Sequence, residues 1–418
     1  MSRTAVDDLN NPRLGRQLMQ RLDALGELSE DDAALTRRFA TREHRQALEL
    51  IGGWMAEAGM TTRLDDAGTL IGRYEGTSAD AAALILGSHQ DTVRDGGKYD
   101  GMFGIAAPIA AVDALHRAGR RLPFPIEVVT FGDEEGTRFQ TTLFGSRALA
   151  GTFDMAVLEK ADDDGITVGQ ALRDFGLAPE RIPDLARDPA QVRGFLEVHI
   201  EQGPVLETAG LPVGVVTAIA GCSRLKATVT GEAGHAGTVP MDQRRDALAC
   251  AAEMVLAVES HCGREDSMVG TVGRLEVHPG AINVIPAQAA FTVDLRAPDD
   301  AVRTAARDAL LARLQSIADA RGLAVRLNVL YEVGAATMDP RLQDALAAAV
   351  AAEGHAPRRL FSGAGHDAMA MADLCPTAML FVRCKGGISH NPAESIEPDD
   401  AACAVRVLIR VLEGLAAA

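Results

Sequence analysis

The sequence is short of cysteine, short of positive charge, and has no apolar run of membrane length. Its six cysteines, Cys222, Cys250, Cys262, Cys375, Cys384 and Cys403, are scattered, and no two have the close spacing of zinc or redox pairs. Several lie in apolar surroundings, so they read as reduced structural thiols and point to a cytoplasmic protein. Lys and Arg total 41 against 58 Asp and Glu, a formal charge of −17. Such a chain repels nucleic acid and anionic membrane, and a small anionic substrate would need a local cationic group. The longest apolar runs, such as Ala81–Gly87, are strand-sized, far below the roughly 20 residues that span a bilayer. No apolar stretch follows Arg3, so the N-terminus does not read as a signal peptide. What is abundant is apolar residue type, 47% of 418 residues, which excludes general disorder. The length predicts two or three domains at roughly 100–200 residues each.

Helix and strand signals alternate in the first third. Leu48, Ile51 and Met55 recur at helical spacing within 42–58, with Gly59 as a stop. Segments 69–74, 82–87, 126–132 and 195–201 read as strands, and 104–118 as a helix ended by Gly119. This predicts an α/β layer structure with a mixed, largely parallel sheet. Near residue 220 the order changes to strand 224–231, helix 246–261, strands 270–278 and 288–296, helix 301–321 and strand 324–331. That β-α-β-β-α-β order is ferredoxin-like. Afterwards α/β signals resume with helix 340–353, strand 378–383 and a final helix. The expected organisation is a small domain, 219–332, inserted into a large one formed by 1–218 and 333–418.

Chemistry-bearing residues gather where apolar strands end. Ser88-His89-Gln90-Asp91 follows one strand, and Asp91 is near enough to orient the second ring nitrogen of His89. Asp100 lies in Gly97-Lys98-Tyr99-Asp100-Gly101, and Asp133-Glu134-Glu135 ends another strand. His199 closes a third strand, and His390 follows a fourth. Singly, each has a bland account: a solvated loop, a turn former, a charged surface turn, a core histidine. Together they bring three histidines and several carboxylates to one sheet edge, where open α/β sheets bind ligands. Imidazole and carboxylate without thiolate suit zinc or manganese. One carboxylate bridging two cations fits a paired site with metals about 3.5–4 Å apart. Adjacent Glu134 and Glu135 allow one to bind metal while the other moves a proton.

These motifs resemble the metallo-aminoacylase and carboxypeptidase superfamily, in its hydantoinase/carbamoylase branch, from about residue 15 to 415. Besides the segments above, the resemblance is carried by Glu197-Val198-His199-Ile200-Glu201-Gln202-Gly203-Pro204, Gly234-His235-Ala236-Gly237-Thr238, Gly363-Ala364-Gly365-His366-Asp367 and Gly387-Ile388-Ser389-His390. It implies two divalent metal ions, Mn2+ or Zn2+. His89, Asp100 and His199 would bind one; Asp100, Glu135 and His390 would bind the other. Glu134 would be the general base and acid, and His235 would stabilise the oxyanion, reaching the partner subunit's site in similar enzymes. Asn283 and Arg296 would hold a substrate carboxylate, which suits the planar fork of Arg. Gln202 would contact the ureido group. His366 and Asp367, after Ser362-Gly363-Ala364-Gly365 at the start of a helix, are expected to support the site or contact substrate without binding metal. Without the resemblance, His235 and Asn283 could be turn residues, and Arg296 could pair with Asp294.

The implied reaction is hydrolysis of a ureido C–N bond in a small carboxylate. Segments 219–226, 237–241 and 379–387 are most like the members that convert allantoate to ureidoglycine, ammonia and carbon dioxide in purine-ureide breakdown. N-carbamoyl-L-amino acids are the closest alternative substrates, followed by N-carbamoyl-β-alanine and ureidoglycolate. The resemblance also implies a homodimer through the inserted domain, which would act as a lid with hinges near 217–222 and 331–336.

Overall fold

The computed structural model describes residues 13–78, 80–264 and 267–417. The N-terminal segment, expected above not to be a signal peptide, lies outside them. Six strands come first: β1 Thr61–Leu64, β2 Leu70–Tyr74, β3 Ala83–His89, β4 Ile126–Phe131, β5 Val192–Ile200 and β6 Val213–Ile219. Six more follow: β7 Gly221–Thr230, β8 Gly234–His235, β9 Val269–His278, β10 Val284–Ile285, β11 Gln288–Ala297 and β12 Ala324–Val333. The last three are β13 Ala336–Thr337, β14 Arg359–Ser362 and β15 Thr377–Val382. Two compact units result. One holds the described residues of Met1–Thr217 with Met338–Leu360 and Ala364–Ala418; the other holds Ala218–Thr337 with Phe361–Gly363.

The main sheet has nine strands in the order β1-β2-β4-β3-β5-β15-β6-β13, with β14 paired to β6. β4, β3, β5 and β15 are mutually parallel, while β1, β2 and β6 join antiparallel. The fold is thus mixed α/β with a parallel centre. β3 (Ala-Leu-Ile-Leu-Gly-Ser-His) is buried at every position, the pattern of a strand covered on both faces. Leu18, Leu22, Ile51, Ile105, Val112, Leu346 and Val405, from five helices, share one core with Leu84, Leu86, Val128, Val198 and Leu380 of the strands. From β3 the chain passes to β4 on one side and later to β5 on the other. A crevice opens at the carboxyl ends where strand order diverges in this way.

The second unit is the ferredoxin-like element, four antiparallel strands in the order β12-β7-β11-β9. Leu225, Ala227, Val229, Phe291, Val293 and Leu295 alternate onto one face and pack against Met254, Val258, Leu310 and Leu314. Helices Ala247–Cys262 and Asp300–Ala320 supply that cover. Each starts at an aspartate, Asp246 or Asp299, whose side chain accepts a backbone amide of the first turn.

Most elements lie where the sequence pattern puts them, as with Arg42–Glu57 and Phe103–Arg117. The structure adds the helix Leu14–Gly26 and strands β1, β6 and β14 to the expected elements. Leu18, Leu22 and Leu25 give the first helix a legible apolar face, but β1 is mostly exposed and β14 is only four residues long. All six cysteines are free and buried. Among the described residues, no helix is long and apolar enough to cross a membrane.

Candidate metal centre

The parallel strands set the geometry. His89 is the last residue of β3, His199 the penultimate residue of β5, and Asp133-Glu134-Glu135 begins just after β4. His390 lies in the loop after β15, and Asp100 just ahead of helix Phe103–Arg117. The five candidate ligands therefore meet at the carboxyl edge of the sheet. His89, Asp100 and His199 offer ligand atoms within 4.8 Å of one another, and so do Asp100, Glu135 and His390. Asp100 is common to both groups. Its Oδ1 is 3.5 Å from His89 Nε2 and 3.1 Å from His199 Nε2. Its Oδ2 is 3.3 Å from His390 Nε2, which is also 3.3 Å from Glu135 Oε1.

The backbone fixes two of the imidazoles. His89 Nδ1 lies 3.0 Å from the Asp91 carbonyl and His199 Nδ1 lies 3.0 Å from the Ile200 carbonyl. Holding Nδ1–H this way leaves Nε2 as the ligand atom. The carboxylate of Asp91, expected to orient His89, is 3.8 Å from its Nδ1 and turns elsewhere. It accepts the amides of Glu134 and Glu135, each at 3.1 Å. Asp91 thus orients the imidazole through its main chain and the Glu134–Glu135 turn through its side chain. Asp133, in the left-handed region at φ 57°, points its carboxylate back to the Thr141 hydroxyl. Gly101 (φ 68°) is required next to Asp100, because a Cβ there would overlap the His89 ring.

Electrostatics favour positive charge at this point. Burial works against a charged His89, but Asp100, Glu134 and Asp91 outweigh it and hold its pKa well above the usual range. His390 is pushed up to about 10 by Asp100 and Glu135. Burial raises Asp100, yet its bonds to His199, His390 and His89 hold it well below the carboxylate range. Among the described residues, the ion pairs of Asp100 and Glu135 are all with imidazoles. A field that protonates histidines is one that a divalent cation satisfies, with the imidazoles then neutral. The donor set therefore fits a metal. Glu134 is 8% exposed, and burial, reinforced by Glu135 and Asp367 and opposed by His89, raises its carboxyl well above the usual range.

Gln202 sits at this centre. Its amide donates to Asp100 Oδ2 at 2.8 Å and to Ser389 Oγ at 3.1 Å, so its contact here is with the shared aspartate. His366 is buried edge-on against His199, with ring centroids 4.4 Å apart, and groups with His199 and Glu197 as a further set of potential ligand atoms. Glu197 accepts from Ser88 Oγ at 2.6 Å and from Ala368 N at 2.9 Å. Asp367 is buried beside it, and that burial pushes its carboxyl up to about 8. Sequence reading missed Glu197, although its position two residues before His199 places it on the same strand face.

The remaining candidates belong to the second unit. His235 is exposed on β8, which pairs with β10; Ala236 N donates to the Asn283 carbonyl at 3.0 Å, so His235 and Asn283 sit on one short ribbon. Arg296 is half-buried on β11. Its Nε and Nη2 donate to Asp294 at 2.7 and 3.1 Å, the ion pair anticipated as its bland role, and Nη1 donates to the Gly363 carbonyl at 2.6 Å.

Imidazoles and carboxylates converging at the carboxyl edge of an α/β sheet, with the buried Glu134 beside them, define the class of metal-dependent hydrolases. Within that class, the chain belongs to peptidase family M20/M25/M40, which it matches over residues 85–414. It is 44% identical to an allantoate deiminase of Arabidopsis thaliana, over 97% of this chain and 83% of that protein. It is 42% identical to an N-carbamoyl-L-amino acid amidohydrolase of Geobacillus stearothermophilus, over 96% of this chain and 98% of that protein. Among solved structures, a hydantoinase/carbamoylase family amidase of Burkholderia multivorans superposes with a TM-score of 0.91 at 35% identity, over 97% of this chain and 98% of that one.

Proposed function

We propose that this protein is a two-metal amidohydrolase that cleaves the ureido C–N bond of a small carboxylate, with allantoate as substrate and ureidoglycine, ammonia and carbon dioxide as products. The observation that carries this reading is the meeting of two ligand groups at Asp100 with Glu134 alongside. His89, Asp100 and His199 would hold one cation and Asp100, Glu135 and His390 the other. Bound divalent cations lower the pKa of water and polarise a carbonyl. Imidazole-rich ligation suits zinc, and the oxygen share suits manganese.

The chain's own residues supply the rest. Glu134 takes a proton from the attacking water and returns it to the leaving nitrogen; a carboxyl raised by burial serves both halves better than an ordinary one. His235 is assigned to the developing oxyanion, and Asn283 and Arg296 to the substrate carboxylate. Arg296 retains donors beyond those given to Asp294 and Gly363, and it is a local cation on an acidic protein. Gln202 is assigned to the ureido group. The catalytic domain is proposed as 1–218 with 333–418, the inserted domain as 219–332, the assembly as a homodimer through the inserted domain, and the location as the cytoplasm.

Allantoate is favoured by the 44% relative from Arabidopsis. A second reading, N-carbamoyl-L-amino acid hydrolysis, is favoured by the 42% relative from Geobacillus, which this chain matches almost end to end. Ammonia release decides between them. Apoprotein reloaded with Mn2+ or Zn2+ is assayed on allantoate, N-carbamoyl-L-amino acids, N-carbamoyl-β-alanine and ureidoglycolate. The highest kcat/KM is expected on allantoate; preference for an N-carbamoyl-L-amino acid replaces the first reading with the second. No ammonia from any of them contradicts both.

A further inference from the structure

Glu394 is 4% exposed, and no step above uses it. Its Oε1 accepts the backbone amides of Tyr99 at 2.9 Å and Asp100 at 3.1 Å, nearly three hundred residues earlier in the chain. Its Oε2 accepts from Ser389 Oγ at 3.0 Å, and that oxygen also lies 2.9 Å from Asp100 Oδ2. The loop is closed on its own side by Glu394 N donating to the Asn391 carbonyl and Lys385 N donating to the Ser395 carbonyl. One carboxylate therefore joins the segment bearing Asp100 to the segment bearing Ser389 and His390. A buried carboxylate is costly unless its lone pairs are occupied, so this one holds its donors in place. The packing is equally specific. A Cβ at Gly97 would overlap the Glu394 carboxylate and its Cβ, although the backbone of Gly97 is not in the left-handed region. The glycine is there to seat the glutamate.

We infer that Glu394 is a positioning residue that ties the Asp100 segment to the His390 loop and so builds the second cation site, the one formed by Asp100, Glu135 and His390. This rests on the two-cation reading above. Asp100 is also held from the other side by His89 and His199. His390 is half-exposed, and its position depends on the loop that Glu394 anchors. Releasing the tie therefore loosens the second site and spares the first, formed by His89, Asp100 and His199.

The test is titration of Zn2+ alone into apoprotein against a competing chelator, with apoprotein melting recorded in parallel. Wild-type protein is expected to take two equivalents. Glu394→Ala should weaken the second about 10–100-fold, the usual effect of losing an outer partner of a metal ligand, and leave the first nearly unchanged. Gly97→Ala should reproduce this by displacing the carboxylate, and in the Glu394→Ala background it should add nothing, because the obstacle is gone. Glu394→Gln, which keeps the Oε1 acceptor and folds more readily, should give a smaller loss. Unchanged affinity for both equivalents in Glu394→Ala overturns the inference. So does equal weakening of both along with the melting temperature, which marks a merely structural role, and so does an additive Gly97→Ala effect. A wild-type protein that takes fewer than two equivalents removes the two-cation reading itself, and the role of Glu394 with it.

Discussion

The candidate residues of the larger unit stand at the ends of buried parallel strands, whereas those of the inserted unit stand on a two-residue ribbon and on β11. His89 and His199 are 1% exposed, and their Nδ1 atoms are taken by main-chain carbonyls. His235 and Asn283 are exposed, and Arg296 is half-buried in an ion pair with Asp294. Buried charge must be fixed by many partners or it is not tolerated, so the metal centre is preorganised. Exposed groups pay little for being alone, and their interactions strengthen only when water leaves. The difference teaches that the larger unit fixes most of its candidate groups through several partners each, while the inserted unit leaves His235 and Asn283 exposed and Arg296 tied to Asp294 and Gly363.

Substitutions can break that contrast, beginning with the largest. Glu134→Gln should lower kcat by about 10³–10⁴-fold, the upper range for general acid–base catalysis, while metal content stays at the wild-type level. Loss of metal instead would make Glu134 a ligand. His235→Ala should cost about 10²–10³-fold in kcat, as for an oxyanion donor, again with full metal content. Mixing it with Glu134→Gln should partly restore activity if sites are shared across subunits; no rescue in a verified heterodimer argues against sharing. Arg296→Gln should raise KM about 10–100-fold with little change in kcat, since charge-assisted bonds contribute roughly 1.5–3 kcal/mol. An unchanged KM would leave Arg296 with its Asp294 ion pair as its whole role.

A last expected effect concerns stability alone. His44 is fully buried, accepts Ala40 N at 2.8 Å through Nδ1, and burial lowers its pKa to about 3. Between pH 6.5 and 3 the unfolded chain binds a proton there that the folded chain refuses. The contribution of a neutral His44 is therefore fully present above pH 6.5 and is lost as pH falls toward 3. Acid unfolding monitored by circular dichroism should shift to lower pH in His44→Gln, which keeps an acceptor and removes the titration. An unshifted midpoint would show that other groups control the acid limb.

Much of this was readable in the chain. Buried parallel strands appear as apolar runs, so a histidine or acid at their ends stands out, as His89, Glu134 and His199 do. The alternating pattern of β7 and β11 and the strand order around them likewise disclose the antiparallel sheet. What stayed hidden depends on contacts between distant segments. Glu394 and Ser389 gain meaning only when their loop folds against Tyr99 and Asp100. Asp91 adjoins His89 in the sequence, yet its carboxylate accepts the Glu134 and Glu135 amides while its carbonyl serves the imidazole. Gln202, at φ 57°, turns its amide onto Asp100, a direction that local sequence does not specify.

The central claim is that two cations share Asp100. Anomalous diffraction from crystals of the protein loaded with Zn2+ or Mn2+ tests it most directly. The account predicts two metal peaks about 3.5–4 Å apart on either side of the Asp100 carboxylate, one against His89 and His199 and the other against Glu135 and His390. A single peak, or peaks away from these side chains, would contradict it.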